Sequence, residues 1–111
     1  MSTMKQTLLG LFGLAFVALP LAAADKANGE KLSTEKGCMG CHAVDGNSVI
    51  PTNPILAGQY EDYLVHALKQ YKSGDRKNAI MSGFAAGLSD KDIADLAAWF
   101  ASNDSKLEYV K

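Results

Sequence analysis

Cys38-Met39-Gly40-Cys41-His42 is the stretch on which the reading of this chain turns. Two cysteines three apart, followed at once by a histidine, form the C-x-x-C-H pattern of a haem attachment site. The thiols add across the two haem vinyl groups, and the adjoining imidazole reaches the iron from the same turn of chain. C-x-x-C alone also serves thioredoxin-like redox pairs and zinc sites. A redox pair needs a βαβ pattern around it, and nothing here alternates with the period of a strand. Zinc needs two more ligands, whereas the chain holds one other histidine, His66, and no further cysteine. The remaining alternative is an exported protein with one incidental disulfide.

Working outward to the N-terminus, Lys5 precedes a run from Leu8 to Leu19 that is almost wholly apolar. Pro20 breaks that run, and Ala22-Ala23-Ala24 offers an A-x-A site just before Asp25. This order predicts a secretory signal peptide over residues 1–24, cleaved after Ala24, with the domain at 25–111. An uncleaved anchor is the alternative, but an apolar core of about a dozen residues falls short of the ~20 needed to span a bilayer. The segment after the cut carries ten Lys and Arg (eleven less Lys5) against twelve Asp and Glu, a net charge of −2. That balance excludes a basic nucleic-acid surface. So small a domain benefits from a staple, and a haem disc built into the core supplies one. Both thiols are then consumed as thioethers.

The domain reads as all-α. Asp25 to Lys36 are mostly helix formers, with Asn28 as a cap and Leu32 the one large apolar side chain. Asp45-Gly46-Asn47-Ser48 signals a turn, and Pro51 and Pro54 keep the chain extended, so Val44 to Gly58 is a loop with Val49, Ile50, Ile55 and Leu56 as apolar lining. Gln59 to Ser73 is a helix whose stripe is Tyr60, Tyr63, Leu64, Ala67, Leu68 and Tyr71, stopped by Gly74. Asp75 to Leu88 is irregular, with one helical turn around Asn78 to Ser82. Ser89 caps the last helix, with Asp92 in capping-box position. That helix buries Ile93, Leu96, Ala97 and Phe100, carries Trp99 on its margin, and ends near Ser102-Asn103 before a polar tail.

A low-spin haem carrier needs a second axial ligand. Met1 and Met4 leave with the signal, and Met39 is trapped between the cysteines, so Met81 and His66 remain. His66 points away from its helix's apolar stripe toward solvent, whereas Met81 lies in a glycine-containing segment able to curl over a ring. The sequence therefore favours Met81, although a lone methionine is more often core filler. The second nitrogen of His42 should donate to a backbone carbonyl, and the Pro51 loop is the expected source. Arg76 is placed against a haem propionate, or else is a solvated charge. Lys69, Lys72, Arg76 and Lys77 form either a docking patch for an acidic partner or a solvated helix terminus.

These features together resemble the small single-haem class I bacterial cytochromes c, including the individual halves of two-haem relatives. The resemblance covers Asp25 to Ser102. It rests on Gly37 to His42, on Asp45-Gly46-Asn47, on Pro54-Ile55-Leu56-Ala57-Gly58-Gln59, on Met81, and on Leu88-Ser89-Asp90 and Leu96-Ala97-Ala98-Trp99-Phe100. It implies three to five short helices around one covalent haem c and His42/Met81 coordination. It also implies a Pro51 carbonyl bonded to His42, and terminal helices that cross where Gly29 permits close approach near Trp99. Two departures stand out. Ser33 occupies a position that is often aromatic, and Ala43 replaces a glycine that many relatives place after the histidine, a change expected to matter little. The function implied is a monomeric periplasmic electron carrier without substrate turnover of its own. Its partners would be redox proteins: a quinol-oxidising complex or dehydrogenase upstream, an oxidase or reductase downstream. The rival readings are a haem subunit of a larger complex, or a sensor or peroxidase with an open sixth site.

Overall fold

Five helices and their connecting loops make up the computed structural model, which describes residues 23–107 together with Gly10 and Gly13. The expected signal segment lies outside the described residues apart from Gly10, Gly13, Ala23 and Ala24. The helices are α1 (Lys26–Glu35), α2 (Met39–His42), α3 (Glu61–Ser73), α4 (Ala79–Ala85) and α5 (Asp90–Ser102). None of the described residues is in a strand, and no described helix is long and apolar enough to cross a membrane.

The centre of the fold is α5. Its first turn is closed by a complete capping box: the Ser89 hydroxyl accepts from the Asp92 amide at 3.0 Å, and the Asp92 carboxylate accepts from the Ser89 amide at 3.0 Å. Two orphan amides are thereby satisfied, and Asp90 and Asp92 complement the helix dipole. Ile93, Leu96, Ala97 and Phe100 are buried as the periodicity requires, and join Leu32, Leu64, Ala85 and Leu88 in one core cluster. Both α1 and α3 pack on α5, and α4 packs on α3.

Asp25, rather than Asn28, caps α1: its carboxylate accepts from the Asn28 amide at 3.1 Å. This helix has little apolar surface to bury. It docks because Gly29 lacks a side chain, and a Cβ there would lie 2.0 Å from the Asp95 carbonyl oxygen and 2.8 Å from Trp99 Cβ. The crossing implied by the resemblance is therefore present. Ser33 is buried beside it, and its hydroxyl finds no hydrogen-bond partner among the described residues.

Asp95, which an apolar-stripe reading leaves on the surface, is 1 % exposed. It accepts from the Asp25 amide and from Asn28 Nδ2, both at 2.8 Å, and pairs with Lys91. Burial alone would raise its carboxyl pKa, but the bonds from Lys91, Asp25 and Asn28 together outweigh that and hold it below the usual range.

The stripe of α3 is only partly covered. Leu64 and Ala67 are buried and Leu68 and Tyr71 half-buried, while Tyr60 and Tyr63 are exposed. The segment after Gly74 is more helical than expected. The Asn78 side chain caps α4 by accepting from the Ile80 and Met81 amides, and the helix continues to Ala85.

Candidate haem-binding site

The C-x-x-C-H residues wind into the single turn α2, with the His42 amide donating to the Cys38 carbonyl at 2.9 Å. This brings both thiols and the imidazole to one turn of chain. Neither cysteine is paired in a disulfide. Cys38 packs against the core, and burial pushes its thiol pKa up. A redox C-x-x-C pair works through a lowered thiol pKa, so the shift runs against that chemistry.

His42 is buried, and its Nδ1 lies 2.9 Å from the Pro54 carbonyl oxygen. With Nδ1 donating to that carbonyl, Nε2 carries the free lone pair, the tautomer a metal ligand needs. The expected loop does supply the acceptor, but it is the Pro54 carbonyl and not the Pro51 carbonyl that the resemblance implies. A turn closed by the Asn53 amide on the Ile50 carbonyl at 3.0 Å holds Pro51 at its exposed tip, and the chain comes back to the histidine only at Pro54. The Cys41 carbonyl is held from the same loop by Asn53 Nδ2 at 3.0 Å and by the Ser48 hydroxyl at 3.2 Å.

Sequence reasoning missed the part played by Asn47. This buried amide donates to the Asp45 carboxylate and the Asp104 carbonyl and accepts from the Lys106 amide, tying the loop to the C-terminal tail. The Asn47 side chain, then its backbone amide, holds the Asp45 carboxyl below its ordinary pKa. Trp99 Nε1 donates to the Val44 carbonyl at 3.1 Å, fixing the other end of the loop to α5. The Asp45-Gly46-Asn47 turn carried a signal for this tie, but the tail it binds did not.

Met81 is half-buried on α4, in a helix rather than in an irregular segment. Phe84 lies three residues on, hence on the same side of α4. Its ring is so near Gly37 that a Cβ on that glycine would sit 3.2 Å from Phe84 Cε1. The helix bearing Met81 therefore abuts the start of the C-x-x-C-H turn. His66 is exposed.

Arg76 does not stand free in solvent: it donates to the Tyr63 hydroxyl at 3.2 Å and lies 5.0 Å from the centre of the Tyr71 ring. The Tyr63 bond raises its pKa further. Lys72 donates to the Leu88 carbonyl, whereas Lys69 and Lys77 are exposed and make no such contact among the described residues.

Two free thiols three apart and an imidazole with its distal nitrogen available fit a covalently held haem. The cytochrome c family model matches residues 26–104 of this sequence. The chain belongs to the cytochrome c family. Its membership implies covalent haem c, and Cys38 and Cys41 are the two cysteines available for it.

This cytochrome is 46 % identical over 94 residues to cytochrome c4 of Pseudomonas aeruginosa, covering 85 % of this chain and 43 % of that protein. It is 44 % identical over 86 residues to cytochrome c-554(548) of Halomonas halodenitrificans, covering 74 % of this chain and all of that one. A crystal structure of reduced cytochrome c4 from Pseudomonas stutzeri matches with a TM-score of 0.72 at 38 % identity, over 80 % of this chain and 50 % of the other. The chain thus spans about half the length of the cytochromes c4 it matches, and corresponds to one of their domains. The all-helical architecture is the class I cytochrome c fold.

Proposed function

We propose that this cytochrome is an exported, periplasmic single-electron carrier with one haem c, bound through Cys38 and Cys41 and ligated by His42 and Met81. The observation that carries the reading is the His42 ring: its Nδ1 is committed to the Pro54 carbonyl at 2.9 Å, while two free thiols occupy the same helical turn. Haem c, when bound, supplies a one-electron iron couple. The chain's own groups tune and shield it. The Pro54 carbonyl fixes the imidazole and raises its basicity, which favours the oxidised metal. Met81, the one methionine outside both the signal segment and the C-x-x-C-H turn, contributes a thioether that pulls the potential up. Arg76, steadied by Tyr63 and Tyr71, is the proposed partner of a propionate.

The signal segment is cut after Ala24, and the domain of 25–111 is delivered as a monomer with no turnover of its own. It exchanges electrons through small, transient interfaces, receiving them from a quinol-oxidising complex or dehydrogenase and passing them to an oxidase or reductase. Carbon monoxide tests this reading. A carrier with both axial positions filled leaves the spectrum of the reduced protein unchanged under carbon monoxide at neutral pH. Ready binding would instead mean an open sixth site and a sensor or enzyme.

A further inference from the structure

A carboxylate is costly to bury, and α5 buries one at its crossing with α1. Asp95 Oδ2 receives Asn28 Nδ2 and the Lys91 ammonium, but Lys91 is 68 % exposed, so its charge is largely spent on water. Oδ1 receives a single donor, the backbone nitrogen of Asp25 at 2.8 Å. Residue 25 is also the first residue after the expected signal cleavage.

We propose that Asp95 is a built acceptor for the chain's own α-ammonium, created when the Ala24–Asp25 bond is cut on export, so that processing turns an ordinary hydrogen bond at the α1–α5 crossing into an ion pair. The proposal rests on the export reading above. The step is a hydrolysis catalysed by a signal-removing peptidase. Water adds across the amide, its oxygen goes to the Ala24 carbonyl carbon, the C–N bond breaks, and the released amine takes the proton that the new carboxylic acid gives up. The nitrogen already facing Asp95 then carries a full positive charge and three protons.

The surrounding charges favour this. The Asp25 carboxylate stands beside the same nitrogen, and Asp92 and Lys91 are the neighbouring charges on α5. With the ammonium in place, Lys91 and the amine face the carboxylates of Asp25 and Asp95. The positive end of the α1 dipole opposes the ammonium, but this effect is screened at the solvent-facing helix end and is weaker than a direct ion pair. A charge-assisted bond is roughly twice as strong as a neutral one. The α-amino pKa therefore rises on folding. The added stability is present below the ordinary α-amino range of about 8 and is lost as pH climbs through the raised folded value.

Two measurements on exported holoprotein test the proposal. The intact mass should correspond to a chain beginning at Asp25. A chain still carrying residues 1–24 contradicts the cleavage step of the proposed function, whereas one cut at another bond leaves cleavage standing and overturns the acceptor role. In the second measurement, Gly-Gly is inserted between Ala24 and Asp25, which moves the amine away but keeps the Asp25 amide. Urea unfolding near neutral pH should give an unfolding constant about tenfold larger for the inserted form. That difference should close at high pH, and should be absent when both forms carry Asp95→Asn. Equal stability of the two forms, or a difference that survives Asp95→Asn, overturns the proposal.

Discussion

At the residue following His42, the backbone of Ala43 has φ 68° and ψ 165°. That region is essentially reserved for glycine, because a Cβ there crowds the neighbouring carbonyls. The sequence reading expected little effect from alanine at this site, and the geometry assigns it a cost. Ala43→Gly should stabilise the folded protein by about 1 kcal/mol, the strain relieved exceeding the entropy added to the unfolded chain. Denaturant midpoints of the two proteins, at equal slope, give the answer. Residue identity also decided the Pro51 error. Both prolines were visible, but the carbonyl that meets an imidazole depends on the turn from Ile50 to Asn53, which no spacing rule specifies.

At the scale of elements, legibility followed the kind of contact each helix makes. α5 announces itself through Ser89, Asp92 and a 3.6-residue apolar period, and the structure reproduces all three. α3 shows the same period, yet its neighbours cover only part of the stripe, leaving Tyr60 and Tyr63 out. α1 is held by something missing, the side chain of Gly29, and absence leaves no periodic trace. Only the family resemblance pointed to it. Gly29→Ala would push a methyl group into the α5 backbone at the Asp95 carbonyl, and should cost about 3 kcal/mol by overpacking, read as a lower urea midpoint.

The same crossing sets the acid response. The Asp95 carboxyl is held below its ordinary pKa, so its contribution to stability is fully present above the usual value of about 4 and lost as pH falls through the lower folded value. Asp45, bound by Asn47, acts in the same direction. Stability measured against pH should therefore fall on acidification, and Asp95→Asn should flatten the fall while lowering stability at neutral pH. An unchanged acid slope in that variant would mean the buried pair is not coupled to folding.

For the molecule as a whole, fold class and attachment motif were legible because they rest on short-range signals: a helical period, caps, and the C-x-x-C-H spacing. What was not legible is how distant segments meet. The Asn47 amide joins residues more than fifty positions away, and Phe84 brings α4 against Gly37, neither of which local periodicity can encode. The proposed coordination pair inherits this limit, since His42 lies within the motif while Met81 depends on the placement of α4. The proposed function rests most heavily on ligation of the iron by Met81 together with His42. The decisive measurement is the absorption spectrum of the intact oxidised protein beside that of Met81→Ala. Ligation by Met81 predicts a weak sulfur-to-iron band at the red edge of the wild-type spectrum and its loss in the variant, and a band that is missing from the wild type or persists in Met81→Ala would contradict it.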